Sequence, residues 1–120
     1  MHHKVILIID DSESDQFITK HSLEKTYDGI EVHSAFDGQE ALDILDQGTV
    51  NPDVIFLDIN MPGMNGFKFL EQYSIQYGSP VIVMLTSSDQ DQDIEYAKQY
   101  KCVVKYCVKP LDTHDVVELI

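Results

Sequence analysis

At 120 residues the chain is long enough for one domain with a genuine core, since a chain of this size buries roughly two-thirds of its unfolded surface. Its 43% hydrophobic and 24% charged residues exclude a disordered or collagen-like chain. Eight Lys and Arg against 21 Asp and Glu leave a net charge of −13, which repels phosphate backbones, argues against direct nucleic-acid binding and suits basic partners or divalent cations.

The first predicted element is Val5-Ile6-Leu7-Ile8-Ile9, a continuous apolar strand that runs into Asp10-Asp11. Ser12-Glu13-Ser14-Asp15 then fits a helix-capping pattern, with Phe17, Ile18 and Leu23 as the apolar signal of the helix. Ile30 to Phe36 alternates, as an edge strand does. Asp37 caps a second helix whose stripe is Ala41, Leu42 and Leu45, and Gly48 stops it. Val54-Ile55-Phe56-Leu57 is the third strand, followed by Asp58, the turn Met61-Pro62-Gly63 and a helix over Gly66 to Tyr73.

The fourth strand, Val81 to Leu85, leads into Thr86-Ser87-Ser88. Asp89, Asp91 and Asp93 open a helix that continues through Ile94, Tyr96, Ala97 and Tyr100, and acidic residues there complement its dipole rather than mark a metal cluster. The fifth strand, Val103 to Val108, ends at Lys109-Pro110, and a short helix follows over Thr113 to Ile120. Cys102 and Cys107 lie on opposite faces of that strand segment, too far apart to bridge and without zinc spacing, so they are expected as small buried hydrophobes. His2, His3, His21, His33 and His114 also lack metal-ligand spacing. No apolar run approaches the ~20 residues of a membrane span, and Met1-His2-His3-Lys4 has no signal-peptide layout, so no membrane insertion and a cytoplasmic location are expected.

Strand and helix alternate at lengths that predict right-handed crossovers and an α/β, doubly wound, five-stranded parallel sheet in a single domain over residues 1–120. In such a sheet ligands bind beyond the carboxyl ends of the strands. Asp10, Asp11, Asp58, Thr86 and Lys109 are therefore predicted to converge on one edge. Singly each has an ordinary role as a turn, cap or strand-end residue. Together, three carboxylates at one edge repel one another unless a cation neutralises them, and hard oxygen ligands of this kind suit Mg²⁺.

Asp10-Asp11, Asp58-Ile59-Asn60-Met61-Pro62-Gly63-Met64-Asn65-Gly66, Thr86-Ser87 and Tyr106-Cys107-Val108-Lys109-Pro110 together resemble the receiver domain of two-component response regulators, in its stand-alone, CheY-like form. The resemblance spans essentially the whole chain, and its four motifs fall in order at the predicted strand ends. It implies the flavodoxin/CheY-like strand order 2-1-3-4-5. It also implies Asp58 as phosphoacceptor from a phosphohistidine on a sensor histidine kinase or histidine phosphotransfer domain. Asp11, Asp58 and the Asn60 carbonyl would bind Mg²⁺, with Asp10 acting largely through water. Thr86 and the Ser87 N–H would bind the phosphoryl oxygens beside Lys109. Thr86 and Tyr106 would form a switch that alters the face made by the fourth helix, fifth strand and fifth helix for a downstream protein target. Asn60 and Ser88 occupy positions that influence water access, and Lys109-Pro110 matches the family's cis bond. Cys102-Val103 stands where the family usually carries Gly-Ala, so the turn before the fifth strand is expected to be built differently.

Two other classes fit less well. A haloacid-dehalogenase-type phosphohydrolase carries a second Asp two residues after its nucleophile, where this chain has Asn60. A flavodoxin-like flavin carrier needs a hydroxyl- and Gly-rich phosphate loop after the first strand, where Asp10-Asp11 stands instead. A degenerate receiver that only docks partners is disfavoured by intact Asp58, Thr86 and Lys109.

Overall fold

The computed structural model describes residues 4–61, 63–76 and 81–120, with side chains left aside at 74–76. His2, His3 and Pro62 of the expected Met61-Pro62-Gly63 turn lie outside the described residues. In chain order the elements are β1 (Lys4–Ile9), α1 (Glu13–Thr26), β2 (Ile30–Ala35), α2 (Gly38–Gln47), β3 (Val54–Leu57), α3 (Gly66–Gln76), β4 (Val81–Thr86), α4 (Asp91–Lys98), β5 (Val103–Val108) and a closing 3₁₀ helix, Thr113–Leu119. All strand pairs are parallel, in the order β2-β1-β3-β4-β5. The expected topology is the observed one.

Strand alternation sorts the central strands between two cores. Leu7, Ile9, Ile55, Leu57, Ile82 and Met84 face α2, α3 and α4, where Ala41, Leu42, Leu45, Phe69, Leu70, Tyr73 and Ala97 pack on them. Ile6, Ile8, Val54, Phe56, Val83 and Leu85 face the other side, covered by Leu23 of α1 and Val116 of the 3₁₀ helix. Burial on both faces explains why β1, β3 and β4 read as unbroken apolar runs. The caps follow the sequence: the Ser12 hydroxyl accepts the Asp15 N–H, Asp37 accepts the Glu40 N–H, and Gly48 ends α2 at φ 73°.

Two expectations need revision. Phe17 and Ile18 do not face the core: they are 70% and 49% exposed, and α1 turns Gln16, Thr19 and Leu23 inward instead. Once Leu23 is buried, the 3.6-residue period brings positions 16 and 19 to the same face and rotates 17 and 18 away. The inner end of α1 also lies over strand-end carbonyls, where an amide is more useful than a ring. The Gln16 side-chain nitrogen approaches the carbonyl oxygens of Ile8, Asp10 and Ala35 at 2.9, 3.1 and 2.9 Å.

The second revision concerns β5. Ile82 pairs with Val103 but Val83 pairs with Lys105, so one extra residue is inserted. This bulge lets Val103 and Tyr106, three apart, both join the core on the α2–α4 side, while Cys107 joins the other. Cys102 touches the first of these cores and both cysteines are free, so they are separated as expected, through a turn and a bulge rather than plain alternation. The turn needs no positive φ at Cys102, so a residue with a side chain fits there without backbone strain.

One glycine has no substitute. Gly66 donates its N–H to the Ile59 carbonyl at 2.9 Å, and a Cβ there would collide with backbone atoms of Asp58 and Ile59. The close approach fastens the loop after β3 to the start of α3. Gly66→Ala should therefore lower the unfolding free energy by about 2 kcal/mol, as overpacking against rigid backbone does, read as a drop in the urea midpoint.

Candidate functional site

Asp10, Asp58 and Lys109 each sit one step beyond a strand but remain tied to the neighbouring strand. The Asp10 N–H donates to the Ala35 carbonyl at 3.0 Å, Asp58 N–H to Ile9 at 3.0 Å and Lys109 N–H to Thr86 at 2.9 Å. These bonds continue the parallel ladders, so the side chains issue from fixed backbone rather than loose loops. The Lys109-Pro110 peptide is cis.

Asp10, Asp11 and Asp58 each bring a carboxylate oxygen within 4.8 Å of the others, the one such grouping among the described residues. Asp10 and Asp58 are buried and Asp11 is exposed. A cluster of hard oxygens, two sheltered and one open to water, fits a small divalent cation that keeps part of its hydration. One Asp10 oxygen accepts the Ser12 N–H at 3.0 Å, and the other contacts Lys109. Asp58 is held similarly, with Oδ1 accepting the Ile59 N–H at 2.8 Å and Oδ2 accepting from Lys109.

Lys109 Nζ reaches Asp10, Asp15 and Asp58 at 2.7, 2.8 and 3.1 Å. Burial alone would push this ammonium down, but hydrogen bonds to Asp10 and Asp15 and the charge on Asp58 outweigh it and hold it above the usual lysine range. Asp10 moves the other way from an ordinary surface carboxylate. Burial raises its pKa, and its bonds to Lys109 and Ser12 offset that only in part.

Asp15 was read from the sequence only as part of the α1 capping pattern. Its contact with Lys109 spans most of the chain, so local spacing carries no sign of it. Gln16 also went unnoticed, because its bonds reach out of its own helix to the ends of β1 and β2.

Thr86 is fully buried, and its Oγ1 accepts the Ser88 N–H at 3.3 Å. Ser88 in turn donates its hydroxyl to Asp93 at 2.6 Å, giving that residue a local role in the loop before α4. Tyr106 is half-buried and donates its hydroxyl to the Ser88 carbonyl at 2.9 Å. It also lines a cavity of about 360 Å³ between α4 and β5, together with Ile94, Ala97 and Val108. Asn60 and Ser87 are exposed at the same edge. The remaining histidines have local partners: His33 pairs with Glu31, His114 with Asp112, and His21 stacks on Phe17. No helix among the described residues is long and apolar enough to cross a membrane.

The arrangement matches known proteins. Residues 6–120 fit the family model of the response regulator receiver domain. Among solved structures, Vibrio cholerae chemotaxis protein CheY4 shares 31% identity, with 98% of this chain and 95% of that chain covered and a TM-score of 0.82. The Mn(2+)-bound form of response regulator Rcp1 shares 27%, covering 97% and 88%, with a TM-score of 0.79. The phosphorylated cyanobacterial phytochrome response regulator RcpA shares 25%, covering 98% and 89%, with a TM-score of 0.82. With its strand order, its acidic edge and a family match over nearly its full length, this chain belongs to the response regulator receiver domains of two-component signalling.

Proposed function

We propose that Asp58 accepts a phosphoryl group from a phosphohistidine on a kinase or phosphotransfer partner, in a reaction supported by Mg²⁺. The observation that carries this reading is the position of Asp58, whose carboxylate contacts Lys109 at 3.1 Å and belongs to one cluster with Asp10 and Asp11. A Mn(2+)-bound neighbour and a phosphorylated one support it by likeness.

Asp58 supplies the attacking oxygen. A new P–O bond forms to its carboxylate as the P–N bond to the partner's imidazole breaks, and the imidazole keeps the electron pair. Because the transferring group carries its charge on equatorial oxygens, the protein contributes mainly position and counter-charge. Lys109 provides a partly buried ammonium in contact with Asp58. Thr86 and the Ser87 N–H are the donors proposed for the phosphoryl oxygens. Asp11, Asp58 and the Asn60 carbonyl would hold Mg²⁺, with Asp10 acting mostly through water, and the ion would neutralise charge on the phosphoryl oxygens. Asn60 cannot ionise, which separates this site from a phosphohydrolase that uses a second aspartate.

Phosphorylation adds about −1.5 to −2 charge and three acceptor oxygens at Asp58. The Thr86 hydroxyl would leave the Ser88 N–H for this group, and Tyr106 would leave the Ser88 carbonyl and turn inward. Both residues hang from the same two-residue step of backbone, so one displacement reaches the cavity between α4 and β5. A downstream protein would read that face.

Incubation with Mg²⁺ and acetyl phosphate should give one phosphoryl mass increment, absent in Asp58→Asn and formed about a hundredfold more slowly in Lys109→Met. Catalytic release of phosphate from assorted monoesters would instead identify a hydrolase. Mg²⁺ at about a hundred times its dissociation constant should add about 2.7 kcal/mol to stability, an increment that chelation removes and Asp11→Ala largely abolishes in urea titrations. With a phosphoryl mimic bound, Tyr106 ring resonances should shift, whereas unchanged resonances would refute the coupling.

A further inference from the structure

Lys109 has three N–H donors and three carboxylate partners: it hydrogen-bonds Asp15 at 2.8 Å and Asp58 at 3.1 Å and forms an ion pair with Asp10 at 2.7 Å. A phosphoryl oxygen arriving at Asp58 can bind this ammonium only by displacing a carboxylate. The three are not equally easy to displace. The Asp10 and Asp58 side chains are 3% and 7% exposed, whereas Asp15 is 38% exposed.

Asp15 also stands apart from the cation cluster, which comprises Asp10, Asp11 and Asp58. It lines a separate cavity of about 210 Å³ with Ile18, Thr19, Lys109 and Pro110. Water in that cavity can solvate the Asp15 carboxylate when it loses its partner, while Asp10 or Asp58 would be left as a buried, unpaired charge. The backbone of Asp15 is fixed by the Ser12 hydroxyl, which accepts its N–H at 3.2 Å, so its carboxylate stays within reach of Lys109.

We infer that Asp15 is a positioning residue that occupies the third donor of Lys109 in the resting protein and competes with the incoming phosphoryl group for it. The inference rests on Asp58 being the phosphoacceptor. In the resting state Asp15 draws the ammonium partly away from Asp58, and on phosphoryl binding it is the partner released to water. Its charge also opposes that of the approaching donor. Asp15 thereby sets how much phosphodonor is needed, without touching the reacting atoms.

The test compares wild type, Asp15→Ala and Asp15→Glu as whole chains, with saturating Mg²⁺ and acetyl phosphate as the probe. In Asp15→Ala the half-saturating donor concentration should fall about fivefold, the upper range for a pair as exposed as this one, while the limiting rate stays nearly constant. Asp15→Glu, with a carboxylate still able to reach Lys109, should return most of the way to wild type. A half-saturation point that does not move, or one that rises with a falling limiting rate, overturns the inference while leaving Asp58 as phosphoacceptor. Failure of the wild type to gain a phosphoryl group overturns both. A metal-free double-mutant cycle in urea, Asp15→Ala with Lys109→Met, must show favourable coupling between the two side chains; additive effects would overturn the inference whatever the kinetics.

Discussion

The ammonium of Lys109, held by Asp10, Asp15 and Asp58, is the contact on which the functional end of this molecule depends. Parallel strands deliver their carboxyl ends to one edge, and this sequence places acids on two of them and on the adjoining first turn of α1. With Asp11, which clusters with Asp10 and Asp58, four carboxylates share this edge with one lysine, a formal excess of three negative charges. Burial sharpens the conflict, because water cannot screen Asp10 or Asp58. The lysine answers part of it, and the proposed divalent cation at Asp10, Asp11 and Asp58 would answer more. A site built this way is electrostatically unfinished. On the proposed reading it is poised to bind a cation and then to exchange partners when a phosphoryl group arrives.

That poise relies on a rigid frame. Asp10, Asp58 and Lys109 are fastened by backbone bonds that extend the sheet ladders. Gln16 ties the ends of β1 and β2 from beneath α1, and Gly66 draws the loop after β3 against Asp58. Fixed side chains in fixed directions are what phosphoryl transfer needs, since its acceleration comes from position and charge rather than from added covalent chemistry. Thr86 and Tyr106, the residues that the proposed switch would move, both bond the backbone of Ser88. On the proposed reading, stiffness at the carboxylates and a light latch at Ser88 serve one end, a local charge change felt on the face between α4 and β5.

The strand pattern, the caps and the order of motifs were legible in the amino-acid sequence because they arise from local physics. Apolar runs of four to six residues, hydroxyl and carboxylate caps and a left-handed glycine state their roles within a few positions. Convergence of Asp10, Asp11, Asp58 and Lys109 followed from topology alone, because parallel strands can end nowhere else. What resisted reading were pairings between distant segments. Asp15 reads locally as part of a capping pattern, Gln16 carries no local signal, and Phe17 and Ile18 read only as the apolar signal of a helix.

The sequence by itself therefore determined the class of fold, the edge where chemistry gathers and the identities of the acids and the lysine, since each is specified by spacing along the chain. Tertiary structure alone decided which carboxylates share that lysine, which face of α1 turns inward and where β5 takes its extra residue. Those outcomes depend on rotation about a helix axis and on register between strands. Both are set by the packing of segments many residues apart, and local patterns do not encode them.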